Sequence, residues 1–282
     1  QAAWHSDNKT LIDYINAMLT LHRTQMAETW IEPPNYLSNI HDGSLKPGVF
    51  TIGFARRFST YKRADLIFDD IGGLADILLQ HEWPVNFIFA GKAHPQDEPG
   101  KSVLKLLLDN QEELYRRSKG LARLVFIPGY DMAIAKMMVA GAHPWLNSPN
   151  RPLEASGTSG MKAAMNGTLN FSVLDGWWRE GFNGNNGWAI GTEKEYATEE
   201  EQDNADALSL YDTLENEIIP LYYKQRSADG LPVDWLARVK ESIRTLAPQF
   251  SMRRMVKEYM TRYYVPAIRS TMPEVKTEEL ES

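Results

Sequence analysis

The feature that most constrains this chain is a regular alternation of short apolar runs with amphipathic stretches. "VFTIGFA", "VNFIFAG", "RLVFIPG", "PWLN", "TLNFSVL" and "GWAIG" occur in that order. Between the first four lie "ADLIFDDIGGLADILLQ", "GKSVLKLLLDNQEELYRRS" and "MAIAKMMVAGA", each with helical spacing of its apolar residues. Runs that stay apolar throughout suit strands covered on both faces, and strands that alternate with helices must run parallel. The expected class is α/β: a Rossmann-like, doubly wound parallel sheet followed by a helical C-terminal segment.

The rest of the chain divides around that core. Residues from Trp4 to about Trp30 read as a helix, and "IEPPNYLSNIHDGSLKPG" reads as a turn-rich linker. After Thr192 come the helical stretches "ADALSLYDTLENEIIPLYYKQ", "PVDWLARVKESIRTLAP" and "MRRMVKEYMTRYYVPAI", then the polar tail "PEVKTEELES", which is expected to fray. The expected organisation is a helix and linker over 1–48, a catalytic sheet domain over 49–192, C-terminal helices packed on it over 193–272, and the tail over 273–282.

Composition narrows the function classes. A formal net charge of -7 argues against a nucleic-acid partner, so any anion site must be a local cluster of cations. The absence of cysteine excludes disulfides, thiolate metal sites and a cysteine nucleophile. No apolar run reaches the length of a membrane span and no signal-peptide pattern is seen, so no membrane partner and a cytoplasmic location are expected. The Asn-x-Thr sequons at Asn8 and Asn166 are then chance matches. The chain opens at Gln1 directly into a helical pattern, as expected of a piece of a larger polypeptide.

In such sheets ligands sit beyond the carboxyl ends of the strands, so the loops after strands carry the argument. After the first strand, "RRFSTYKRAD" puts Arg56, Arg57, Lys62 and Arg63 within eight residues. With Ser59 or Thr60 as helix cap, Lys62 falls in the first turn, where cations oppose the helix dipole. An anion held there explains the cluster better than a solvated basic face, and Arg57 and Lys62 can converge on one phosphate. The second candidate is "EASGTSGMKAAMNG". Gly157 and Gly160 let backbone N–H groups approach a ligand, Thr158 and Ser159 add hydroxyls, and a helix from about Ser159 lends its N-terminus. Lys162 stands beside that cradle. A lysine next to a phosphate cup suits pyridoxal phosphate, whose phosphate docks on the helix end while the amine takes the aldehyde.

Other signals are weaker. Ser159 and Lys162 match S-x-x-K of penicillin-recognising serine enzymes, but the partner motifs are absent. His94, Asp97 and Glu98 fit a polar loop better than a metal site. Tyr130 follows the third strand, at the same edge. Trp177, Trp178 and Trp188 either pack a core or line a sugar pocket.

The stretches "GFARRFSTYKRADLIF", "FIFAGKAHPQDEPGK", "GYDMAIAKMM" and "PLEASGTSGMKAAMNGTLNFSVLDGWWREGFNGNNGWAIG" resemble the α-glucan (glycogen, starch or maltodextrin) phosphorylases, most nearly their bacterial and archaeal branch. The resemblance covers nearly the whole chain but only the C-terminal half of such an enzyme. It implies half of a GT-B glycosyltransferase. It also implies reversible phosphorolysis of α-1,4-glucan to glucose-1-phosphate, with pyridoxal 5'-phosphate on Lys162. In the family the coenzyme's phosphate exchanges a proton with inorganic phosphate, and the anomeric configuration is retained. By motif match, Arg57 and Lys62 hold the substrate phosphate. Arg56 (a lysine in the animal enzymes), Thr158 and Ser159 attend the coenzyme phosphate. Glu154 takes sugar hydroxyls together with Tyr61, Ser156 and Gly157, and Tyr130, Gly157 and Gly160 lie at the coenzyme. "GTSGMK" and "DGWW" depart from the animal pattern without touching the lysine, and His143 and Pro144 are irregular positions with no evident catalytic duty.

Two rival readings remain. A nucleotide-sugar-dependent glycosyltransferase, such as a glycogen synthase, often carries glutamate eight residues after the first glutamate, where this chain has Lys162. A non-catalytic glucan-binding or regulatory fragment is the other. The missing partner is the N-terminal half of the same enzyme. Without it the piece is expected to be inactive and to self-associate as a homo-oligomer through its open cleft face.

Overall fold

The computed structural model describes residues 2–29, 45–128, 130–224 and 226–271. Most of the expected linker and the polar tail lie outside the described residues. Six parallel strands form one sheet: β1 (Phe50–Ala55), β2 (Val85–Gly91), β3 (Ala122–Pro128), β4 (Pro144–Asn147), β5 (Leu169–Val173) and β6 (Gly187–Ile190). Their spatial order is β3-β2-β1-β4-β5-β6, the Rossmann order, and the direction of winding reverses between β1 and β4. This is the expected α/β class.

Alternate residues of each strand feed opposite cores, as a pleat of period two requires. Phe50, Ile52, Phe54, Phe87, Phe89 and Phe126 join the core under helices α2 (Ile71–His81) and α3 (Glu98–Arg117). Ala55, Ile88, Ala90, Val125 and Ile127 join the core under α1 (Ala2–Thr29) and α4 (Met132–Gly141). The strands are buried almost throughout because both faces are covered, although Thr51, Asn86, Asn147, Asn170 and Ser172 are polar. Asp70, Asp97 and Asp131 begin α2, α3 and α4, each carboxylate accepting an N–H from the first turn, which satisfies donors that the helix leaves unpaired. The short helices α5 (Ser159–Met165) and α6 (Trp178–Gly181) follow β4 and β5.

The C-terminal helices close the first core. Helix α7 (Glu199–Thr213) begins earlier than "ADALSL" suggests, because Thr198 accepts from Glu201 N at 3.1 Å and Glu201 reaches back to Ala197 N at 3.1 Å. A π turn over Leu214–Ile218 leads into α8 (Ile219–Tyr223), and α9 (Val233–Gln249) packs beside it. A second π turn, Met260–Tyr264, joins α10 (Met252–Tyr259) to α11 (Val265–Thr271). Each π turn lies just before a proline, Pro220 or Pro266; a residue with no N–H cannot continue the i→i−4 ladder, and the extra residue takes up the mismatch. Among the described residues no helix is long and apolar enough to cross a membrane.

One sequence expectation is corrected and one open choice is resolved. The helix expected from Ala64 does not start there: Leu66–Phe68 form a buried 3-10 turn and α2 begins at Ile71. Arg63 is left-handed (φ 43°) and Asp70 caps the later start. The open choice for Trp177, Trp178 and Trp188 resolves to core, since all three are buried. His143 gains a structural role at the amino edge of the sheet. Its Nδ1 accepts from Thr51 N at 2.8 Å and its ring stacks on Phe50.

Helix α1 is pinned by two asparagines. Asn8 is buried, donates to Gly141 O at 2.8 Å and accepts from Gly48 N at 3.0 Å, while Asn16 pairs with both backbone groups of Leu45. Gly141 must lack a side chain, because a Cβ there would stand 2.6 Å from that of Leu11. Asn8→Ala leaves two backbone groups without partners. It should lower the unfolding free energy by about 1–3 kcal/mol, measured by urea denaturation.

Candidate functional site

The site grows from the strand order. Where winding reverses between β1 and β4, the connections leave in opposite directions and open a crevice at the carboxyl edge. Arg56 is the first residue past β1 and Asn147 the last of β4. The Arg56 guanidinium spans the crevice: Nη1 donates to Asn147 Oδ1, and Nη2 lies 2.7 Å from Glu154 Oε2. Lys62 Nζ closes on the same Glu154 oxygen, with its ammonium 4.3 Å from the Tyr61 ring centroid. No hydrogen bond to Glu154 Oε1 is made among the described residues.

Local geometry makes this placement possible. The loop after β1 crosses the end of β2, with Arg56 N bonding Ala90 O and Phe58 N bonding Lys92 O, both at 3.1 Å. Gly91 admits the crossing, since a Cβ there would lie 2.0 Å from Arg56 O. Lys62 ends a 3-10 turn, Thr60–Lys62, rather than standing in the first turn of an α-helix. No α-helix dipole opposes Lys62 there, and what faces the two cations is a carboxylate. The run of four cations also splits. Arg56 and Lys62 share Glu154. Arg63 turns away toward Asp203 and Asp206. Arg57 is exposed and makes no ion pair among the described residues.

The loop before α5 is tied to the loop after β5. Glu154 N donates to Asp175 Oδ2 at 2.9 Å and Trp177 N to Ser156 O at 3.0 Å. Gly157 has φ +83°, which glycine adopts without cost. At Gly160 a Cβ would meet Asn170 Oδ1 at 2.3 Å and Trp177 at 2.9 Å, so protein packing also requires its smallness. Thr158 stands at the cap position of α5 without a side-chain cap bond and is exposed, as is Ser156. Ser159 Oγ accepts from Trp145 Nε1 at 3.2 Å. Lys162 is exposed one turn into α5, and its amine has no side-chain partner among the described residues.

Arg56, Tyr61, Lys62 and Glu154 are thus brought into direct contact, and Ser156, Gly157, Thr158, Ser159 and Lys162 follow on the adjoining loop and helix. Tyr130 is half-buried against the α1–α4 core, which pushes its hydroxyl pKa up. Neither Tyr130 nor Arg57 bonds the cluster. His94, Asp97 and Glu98 are engaged locally, with Gln96 N, Gly100 N and Lys101, and among the described residues no group of three potential ligands could hold a metal. Sequence reasoning missed Asn147, Ser172 and Asp175. Asn147 Nδ2 donates to Ser172 Oγ at 3.1 Å and so orients the oxygen that receives Arg56. The available signal was a polar residue ending or following an apolar strand, as in "PWLN" and "FSVLD".

Burial alone would raise the Glu154 pKa. The hydrogen bond from Lys62 and the charges of Arg56 and Lys62 outweigh it and hold the carboxyl below its ordinary range. Two cations thus converge on one carboxylate oxygen at the edge of the sheet, with the Asp175 carboxylate behind the Glu154 backbone.

The carbohydrate phosphorylase family profile matches residues 37–219. The chain is 46% identical over 266 residues to a maltodextrin phosphorylase of Thermococcus litoralis, covering 94% of this chain and 30% of that protein. It is 48% identical over 220 residues to a glycogen phosphorylase of Aquifex aeolicus, covering 78% and 31%. It is 39% identical over 254 residues to a glycogen phosphorylase of Mycobacterium tuberculosis, covering 88% and 28%. The chain thus spans under a third of the length of these relatives.

A carboxylate whose folded pKa is depressed adds stability above its unfolded pKa, and loses that contribution as pH falls through the folded value. Glu154 should therefore contribute fully above its ordinary value of 4.5 and progressively less below it. Glu154→Gln lacks this step. Urea unfolding of both proteins between neutral and acid pH should show their stability difference shrinking below about pH 4.5.

Proposed function

Because the chain belongs to the carbohydrate phosphorylase family, we propose that it forms the phosphate-handling half of an α-glucan phosphorylase. The reaction is reversible transfer of a glucosyl unit between an α-1,4-glucan and inorganic phosphate, giving glucose-1-phosphate. The observation that carries the reading is the Arg56–Glu154–Lys62 cluster at the switch point, on the same sheet edge as an exposed Lys162 whose amine has no side-chain partner among the described residues. A facing half of the same enzyme, in a GT-B arrangement, would hold the glucan.

The residues present fit pyridoxal phosphate. Lys162 offers an exposed amine, Thr158 a hydroxyl not consumed by capping, and Gly157 an open backbone turn. Lys162 would hold the group, with Thr158 and the Arg56 guanidinium toward its phosphate. When bound, it supplies a phosphate that exchanges a proton with the substrate phosphate. Holding the substrate phosphate falls to side chains of this chain. Arg57, exposed and without an ion pair among the described residues, and Lys62 bind and orient the substrate phosphate through charge-assisted hydrogen bonds. Preorganised cations aimed at the transferring group stabilise the charge that develops there. Glu154 keeps Lys62 in place through Oε2 and presents Oε1 to a sugar hydroxyl, with Tyr61 beside it. A carboxylate so placed discriminates against a sugar lacking that hydroxyl.

Two measurements on the full-length enzyme test this reading. Lys162→Ala should abolish borohydride-trapped pyridoxal, and a label that stays on another lysine would overturn the assignment. Arg57→Ala should cost about 2–4 kcal/mol of transition-state stabilisation, read as kcat/KM for phosphate in the presence of maltooligosaccharide. Unchanged phosphate kinetics would remove Arg57 from the phosphate site.

A further inference from the structure

We propose that Arg63 is the positioning residue of the phosphate site: through the fold's internal framework it fixes where the Lys62 ammonium meets Glu154. It touches neither ligand nor Glu154. Arg63 is 5% exposed and four contacts engage its guanidinium. Nε donates to Ser148 O at 2.9 Å, Nη2 to Pro149 O at 2.9 Å and to Asp206 Oδ2 at 2.7 Å, and Nη1 to Asp203 Oδ1 at 2.7 Å. One planar fork thus joins the loop after β1, the loop after β4 and helix α7.

The stitching is reciprocal. Ser148 Oγ donates to Arg63 O at 2.9 Å, and Asn150 N donates to Tyr61 O at 2.7 Å. Residues 61–63 are therefore held against residues 148–150, the segment that leads to Glu154. The two arms that bring Lys62 and Glu154 together are clamped a few residues behind the contact itself.

Two further features mark this as a device rather than ordinary packing. Arg63 is left-handed, with φ 43° and ψ 54°, a conformation costly for a residue with a Cβ and kept only where its surroundings over-determine it. That turn reverses the chain after Lys62, so Lys62 and Arg63 point to different partners. Asp206 is 2% exposed, and burial raises its pKa despite the Arg63 hydrogen bond and charge. A buried pair of this kind is poor evidence for stability, and a role in fixing geometry fits it better. Gly191 makes room for it, since a Cβ there would lie 1.9 Å from Asp206 Oδ1. A lysine cannot replace Arg63, because an ammonium lacks the planar fork that reaches two carbonyls and two carboxylates at once.

The direct test uses Glu154 as reporter. The charged groups around it are Arg56 and Lys62 from the loop after β1 and Asp175 from the loop after β5. In the chain carrying carbon-13 at glutamate carboxyls, the Glu154 resonance of the parent should titrate below the ordinary range. In Arg63→Lys it should titrate higher than in the parent, because Lys62 no longer seats on Oε2 while Arg56 still does. A folded Arg63→Lys protein with unchanged Glu154 titration would overturn the proposal. Should that variant unfold, Asp203→Ala removes one half-exposed arm of the fork and should shift Glu154 the same way by a smaller amount; no shift would be equally fatal. The kinetic consequence rests on the phosphorylase reading. In the full-length enzyme, Arg63→Lys should keep the pyridoxal label on Lys162 while kcat/KM for phosphate falls on the order of 10- to 100-fold. A parent enzyme without phosphorolysis would sink the functional reading and leave the carboxyl titration to decide Arg63.

Discussion

One carboxylate oxygen organises the carboxyl edge of this sheet. Glu154 Oε2 receives Arg56 from the end of β1 and Lys62 from the turn beyond it. All three side chains are nearly buried, so none can be stripped of its partner without leaving a charge in a poorly solvated place. The loops around the crevice are built to bring these groups together. Asn147 orients Arg56, Asp175 holds the Glu154 backbone, and Gly91 lets the β1 loop pass over β2.

The framework beneath is an ordinary doubly wound core, and its normality matters for the site. Strands buried on both faces are fixed in register by two separate cores. Their carboxyl ends are therefore rigid points from which the loops can be aimed. The C-terminal helices belong to the same framework. Helix α8 supplies Tyr222 and Tyr223, whose hydroxyls donate to Gly48 O and Pro84 O at the amino edge, and α7 supplies the carboxylates that receive Arg63. Helices distant in sequence from the crevice thus act on both edges of the sheet.

The charges divide into two kinds of work. Glu154, Arg56 and Lys62 meet at the carboxyl edge through one carboxylate oxygen, Oε2. Arg63, Asp203 and Asp206 face inward and tie the loops to α7. Arg57 and Lys162 are exposed cations at this edge whose charged groups have no side-chain partner among the described residues.

Much of this was legible in the residues. Strand and helix identities come from periodicity and apolar run length, which are local properties, so "VNFIFAG" and "PWLN" read correctly as β2 and β4. The Gly-rich loop and the short helix bearing Lys162 were legible for the same reason, as were the cations after β1. The pairing of those groups was not legible. Arg56 and Lys62 lie 98 and 92 residues from Glu154, and Arg63 lies 143 from Asp206. Nothing in a window of sequence distinguishes Lys62, which faces the crevice, from Arg63, which faces the interior. One left-handed residue sends the two adjacent side chains apart, and that backbone state is chosen by the loop after β4 and by α7. The sequence by itself determined the sheet, its helices and the residues available at its carboxyl edge, because those follow from hydrophobic period and chain order. The tertiary structure alone decided which cation meets which carboxylate, because that depends on where the strand order reverses and on what a buried charge finds within reach.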